Sequence, residues 1–184
     1  LNSFLGNLDK IPAYTEECKR LNIQILKPDI NKSYTKFTVD GDKIRFGLGS
    51  VKNVGTSAVD EIVAERDRNG QFKDFTDFCE RIQETNVNKK CIESLIKAGA
   101  FDEFNETRRT LMESFESILD TITSSNKKEL EGQVNMFDLG GSDSKEMKYT
   151  FKEFPEYSRK ELLFMEKEML GLYISGHPLD NIRH

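Results

Sequence analysis

The chain has 184 residues, enough to bury a core without disulfides or a bound metal. With 32% charged and 36% hydrophobic residues, no Trp and a formal charge of -5, it reads as a charge-rich, mainly helical protein; no run approaches the roughly 20 apolar residues that cross a bilayer. Cys18, Cys79 and Cys91 cannot all pair, none stands in a CxxC, and none is close in sequence to His177 or His184, which argues against a disulfide framework or zinc site and for a reducing cytoplasm. The start at Leu1 and the stop at His184, just after Gly176-His177-Pro178, read as two ends cut from a longer chain.

Ile11, Tyr14, Cys18 and Leu21 share one helical stripe, so residues 12–22 are expected to form a helix with Pro12 in its first turn. Phe37 and Val39, then Ile44 and Phe46, alternate with polar residues around Asp40-Gly41, the pattern of one small β-hairpin; Asp40 and Asp42 read as turn chemistry rather than metal ligands. From Thr56 onward the periods are helical. Ala58, Val59, Ile62 and Val63 form a stripe that stops at Asn69-Gly70, and Phe75, Phe78, Cys79 and Ile82 form the next. Cys91, Ile92, Leu95 and Ile96 mark a third helix ended by Gly99. Leu111, Met112, Phe115, Ile118, Leu119 and Ile122 mark a long fourth one, for which Asn105 can serve as cap.

Between residues 123 and 156 the periodicity fails, and the polar, Gly- and Ser-rich composition predicts a stretch that is either disordered or functional. Beyond it Ser158 can cap a helix with Leu162, Met165, Met169, Leu172 and Tyr173 on its apolar stripe, ending near Ser175-Gly176. His177, a lone histidine in a turn before Pro178, reads as structural.

Residues 48–62 have the form of a helix-hairpin-helix, with Asn53 where the first glycine of the Gly-apolar-Gly turn is expected. Asn tolerates the left-handed backbone better than any residue but Gly. In such a turn Lys52, Asn53, Val54, Gly55, Thr56 and Ser57 bring backbone N–H groups, a helix N-terminus and a cation to one phosphate. The same turn also serves as a plain helix–helix junction with no ligand. Residues 95–111 look like a degenerate second copy, in which Phe101 stands where a phosphate would approach; it is expected to pack rather than bind, with residues 75–83 connecting the two units. Residues 48–123 carry ten Lys or Arg against fifteen Asp or Glu, so any nucleic-acid contact must be local. Lys43, Arg45, Lys52, Lys89, Lys90 and Lys97 are the candidate cations.

Gln133, Val134, Asn135, Met136 and Phe137 resemble the short peptide with which bacterial replication proteins bind the sliding clamp: two bulky apolar anchors three positions after an orienting amide. Together with the collinear strings YTEECKRLNI, FGLGSVKNVG, KAGAFD and EKEMLGLYISGHPL, this places the chain close to the DNA polymerase III alpha-subunit family of bacterial replicative polymerases. The resemblance implies the end of a fingers region over residues 1–47, a tandem helix-hairpin-helix body over 48–123, a flexible segment with the clamp peptide over 124–157, and a helix and connector over 158–184. It implies double-stranded DNA, the sliding clamp (beta subunit) and other replisome subunits as partners, and no membrane. It further implies a parent DNA-directed DNA polymerase, a nucleotidyltransferase, whose palm carries the catalytic carboxylates for magnesium. No catalytic, metal or cofactor residue of that chemistry can be placed in this sequence. The competing readings are a structural adaptor without DNA binding and a helix-hairpin-helix DNA-repair glycosylase, for which Asp67 and Asp74 follow the hairpin, neither in an apolar setting.

Overall fold

The computed structural model describes residues 9–130, 149 and 151–176. Helix α1 (Ile11–Arg20) starts with Pro12 in its first turn, as expected. Its stripe is only partly core. Ile11 and Thr15 are buried, whereas Tyr14 and Leu21 are exposed, facing an open groove shared with Phe37, Val39 and Ile44. Strands β1 (Ile25–Leu26), β2 (Thr38–Asp40) and β3 (Lys43–Arg45) form one sheet in the order β1-β3-β2. The antiparallel pair β2–β3, in register Val39↔Ile44, is the expected hairpin, and Gly41-Asp42 is its two-residue loop. Of these two residues only Gly41 has positive φ, 64°, which suits a turn needing glycine first. The expected lone hairpin is corrected by β1, which pairs parallel to β3; two residues are too few to show a period.

Helices α2 (Thr56–Asn69), α3 (Phe75–Arg81), α4 (Lys89–Lys97) and α5 (Arg108–Leu130) follow the sequence stripes closely. Gly70, at φ 83°, ends α2; Asp74 caps α3 by accepting from the Asp77 N–H, and Asn88 caps α4 by accepting from the Cys91 N–H. Phe75, Phe78 and Phe101 form the centre of the core, with edge-on ring pairs at 5.0 and 4.9 Å. Burying each ring contributes about 2–3 kcal/mol relative to exposure. Burial also pushes the Cys79 and Cys91 thiols up, Cys91 to about 11, so both behave as packing groups.

Three expectations about the second half change. Helix α5 begins at Arg108, not after Asn105, and the Thr107 hydroxyl accepts from the Thr110 N–H as its cap. It then runs through residues 123–130, which were expected to be flexible. The hydroxyls of Thr121, Thr123, Ser124 and Ser125 donate to carbonyls one turn back, so these polar residues sit in a helix with their groups satisfied and the buried turns before them supply the nucleus. Residues 151–156 are likewise packed rather than loose, with Phe151 against the core and the Phe154 N–H on the Thr110 hydroxyl at 2.9 Å.

Helix α6 (Arg159–Leu170) has the expected Ser158 cap, completed by Glu161 into a reciprocal capping box. It stops five residues earlier than expected, because Gly171 takes the left-handed conformation at φ 77°. Its buried face is Leu163, Glu166, Met169 and Leu170, with Leu162 and Met165 only half-buried.

Candidate nucleic-acid interface

The first hairpin consists of a single 3-10 turn (Leu48–Ser50), the turn at residues 51–55, and α2. Leu48, Val51, Val54, Ala58, Val59 and Ile62 are buried, so the turn is anchored from beneath. Lys52, Asn53, Gly55, Thr56 and Ser57 are exposed above it. Asn53 has φ 63°, the left-handed geometry foreseen for the position that glycine usually holds, and its amide donates to Ser94 Oγ at 3.4 Å, tying the turn to α4. Because such a turn needs permissive residues, the sequence predicts a left-handed or closely approached backbone position at Gly55. It is neither. Its φ is -73°, and a Cβ built there would meet nothing within 4 Å. The chain itself does not require glycine at this point, so the open space lies on the solvent side, next to the start of α2. Among the described residues no side chain caps α2, whose start leaves N–H groups without intrahelical acceptors and carries the positive end of the helix dipole. The Lys52 N–H is committed to Met169 O at 2.9 Å, which leaves its side chain as the contribution of that residue.

The second hairpin, α4–turn–α5, is closed at every corresponding point. Gly99 is left-handed at φ 83° and ends α4 in a Schellman arrangement: its N–H donates to Ile96 O and the Ala100 N–H to Leu95 O. A Cβ there would collide with the Arg108 guanidinium and Asp102. Phe101 is in the core, and the first N–H groups of α5 are taken: Glu156 accepts from Arg108 N–H at 2.9 Å and from Arg109 N–H at 3.3 Å. Arg108 is itself buried, donating to both Asp102 oxygens at 2.9 and 2.7 Å, with Lys27 Nζ on Asp102 at 2.7 Å and Glu166 at 3.6 Å. Burial works to raise the Asp102 carboxyl, and Arg108 and then Lys27 outweigh it, so the group sits below its ordinary value.

Of the six candidate cations, four are engaged by acids: Arg45 with Asp40, Lys89 with Asp120, and Lys90 and Lys97 with Glu93. Among the described residues Lys43 and Lys52 have no acid within 4.0 Å. Asp74 is the N-cap of α3, accepting from the Asp77 N–H at 2.8 Å. Gln133, Val134, Asn135, Met136, Phe137 and His177 lie outside the described residues.

A helix-hairpin-helix family model matches residues 22–111, a span that contains the first hairpin and reaches the first turn of α5 in the second. The chain is 40% identical over 181 residues to the DNA polymerase III subunit alpha of Borreliella burgdorferi, covering 98% of this chain and 16% of that protein. The corresponding proteins of Saccharopolyspora erythraea and Deinococcus radiodurans are 41% and 42% identical, over 98% and 94% of this chain and 16% and 13% of theirs. The chain is homologous to a segment of the DNA polymerase III alpha subunits. It spans about a sixth of the length of these relatives.

The sequence located the open turn but missed the polar residues that close the other one. Glu166 is 1% exposed and accepts from the Ile174 and Ser175 N–H groups at 3.2 and 3.0 Å. Its interruption of the apolar stripe of α6 is the one signal that could have revealed it. Glu156 carries no signal, since its partners lie 47 and 48 residues away. Among the described residues no helix is long and apolar enough to cross a membrane.

Proposed function

We propose that this chain is the DNA-positioning part of a replicative DNA polymerase alpha subunit, and that it holds duplex DNA by phosphate contacts at Lys52, Asn53, Gly55, Thr56 and Ser57. The observation that carries the reading is the uncapped start of α2 beside the open space at Gly55, where a phosphate oxygen can reach successive N–H groups. Val54 anchors the turn from the core. Such contacts are indifferent to base identity. The polymerase chemistry and its magnesium belong, in this reading, to the palm of the parent protein. Gln133, Val134, Asn135, Met136 and Phe137 tether that protein to the sliding clamp, with Phe137 as the anchor.

Two titrations of the chain test this. Duplexes of unrelated sequence should bind equally and more tightly than single strands; a strong preference for one sequence would contradict phosphate recognition. Against the sliding clamp, Phe137→Ala should weaken binding roughly a hundredfold and Gln133→Ala about tenfold, with the melting temperature unchanged. A lower melting temperature with clamp binding intact would place Phe137 in a packing role instead.

A further inference from the structure

Residues 29–36 precede the sheet hairpin and take no part in the contacts proposed above, yet they are among the most firmly held loops of the molecule. The Asn31 side chain both donates to Phe72 O at 2.9 Å and accepts from Phe72 N–H at 2.8 Å; Ser33 is fully buried, with its hydroxyl donating to Phe46 O. Thr35 donates to Asp60 on α2 at 2.7 Å. The backbone lies directly against the first turn of the open hairpin, where Leu48 N–H donates to Tyr34 O at 2.8 Å and Gly49 N–H to Thr35 O at 3.0 Å. This contact is why Gly47 and Gly49 are glycines: a Cβ at Gly47 would stand 2.6 Å from Thr35 O, and one at Gly49 2.8 Å from the same atom. The loop and the open hairpin are therefore one rigid unit.

With Asn31, Ser33 and Thr35 turned inward, Lys32, Tyr34 and Lys36 are the exposed residues. Tyr34 is 47% exposed, although an aromatic ring of this kind gains by burial. Beneath it the buried Arg66 is fixed by donation to Ile30 O and Ser33 O, both at 2.9 Å, and its guanidinium lies 4.8 Å from the ring centre. One face of the ring is thus occupied and its position set, while the remaining surface is open. Neither Lys32 nor Lys36 has an acid within 4.0 Å among the described residues. Residues 31–45 carry Lys32, Lys36, Lys43 and Arg45 against Asp40 and Asp42, a local excess of two positive charges in a chain of net -5.

We propose that Tyr34, flanked by Lys32 and Lys36, is a stacking platform for an unpaired nucleotide of a DNA strand that continues beyond the duplex held by the open hairpin. A ring fixed in advance loses little entropy on stacking, and the two ammonium groups are placed for the adjoining phosphates. A paired base is already stacked on its neighbours, so the platform selects the single-stranded extension. The inference rests on the duplex-binding reading above.

The test compares a blunt duplex with the same duplex carrying a short single-stranded overhang, using the 184-residue chain and fluorescence anisotropy. The overhang should raise affinity about tenfold, Tyr34→Ala should remove that gain while leaving the blunt duplex unchanged, and Tyr34→Phe should keep it. With 2-aminopurine in the overhang, binding should quench its fluorescence in the unmodified chain and in Tyr34→Phe only. An overhang that adds nothing, or a gain that survives in folded Tyr34→Ala, overturns the platform. Failure of the blunt duplex to bind at all overturns the underlying reading instead, and the two failures are read on different DNAs.

Discussion

Each hairpin has a glycine beside its turn, at different places: Gly55 precedes α2 with φ -73°, and Gly99 follows α4 with φ 83°. At Gly55 the missing side chain leaves an opening to solvent beside an uncapped helix start; at Gly99 it makes room for Arg108 and Asp102 of the same chain. Among the described residues the donors that begin α2 have no side-chain acceptor, while those that begin α5 are held by Thr107 and Glu156. A helix-hairpin-helix turn is thus a binding device only where the rest of the chain leaves it unfilled. Where internal acids fill it, the turn becomes a joint of the core.

The largest effects should come from breaking the closed hairpin. Gly99→Ala places a Cβ at a left-handed position and into a buried ion pair, and should lower stability by about 3 kcal/mol or more in urea denaturation, without altering the DNA affinity of the protein that remains folded. Asp102→Asn strands Arg108 and should cost on the order of 3 kcal/mol at neutral pH. Its pH dependence sharpens the assignment. A carboxyl held below its ordinary value contributes stability that is complete above the unfolded value near 4 and is lost as pH falls through the folded one. The unmodified protein should therefore lose stability below about pH 4, and Asp102→Asn should lack that part of the slope. An identical acid profile in the variant would remove Asp102 from the account.

Glu156→Gln is a smaller perturbation. Losing a charged cap at the start of α5 should cost about 1 kcal/mol, read as a modest fall in melting temperature. Gly55→Ala lies at the other end of the scale for stability, within about 0.5 kcal/mol, because its φ of -73° suits any residue and its Cβ meets nothing. In DNA binding the order reverses: Gly55→Ala should weaken duplex affinity about tenfold by filling the approach to the N–H groups. If Gly55→Ala unfolds the chain, or binds DNA as before, the contrast between the hairpins is wrong.

The contrast was half legible in the sequence. Apolar periods located α3, α4 and α5 because burial repeats every turn, and the tolerance of Asn for left-handed backbone located the turn at Asn53. Phe101 rightly pointed to packing in the second hairpin. What stayed hidden is polar: the carboxylate of Glu156 on α5, 48 residues from Arg108, the pair of Arg108 with Asp102, six residues apart and off any helical period, and Glu166 inside the stripe of α6. Hydrogen bonds between residues far apart in the chain leave no period behind them. Gly55 was misread for a related reason, since a sequence shows that a side chain is missing but not on which side the space lies. The helical run over residues 123–130 was misread because Ser and Thr favour turns until their hydroxyls find a carbonyl one turn back.

The central claim, that the open hairpin is the phosphate site, is tested most directly by the salt dependence of duplex binding. With about two phosphates neutralised, affinity should fall roughly tenfold between 50 and 200 mM salt. Lys52→Glu should lower affinity at least tenfold at the lower salt and reduce the slope of log K against log salt by about one, whereas Lys97→Glu, at a lysine already paired with Glu93, should leave both as they were. An unchanged slope and affinity in Lys52→Glu would contradict the account and move the DNA to another face of the molecule.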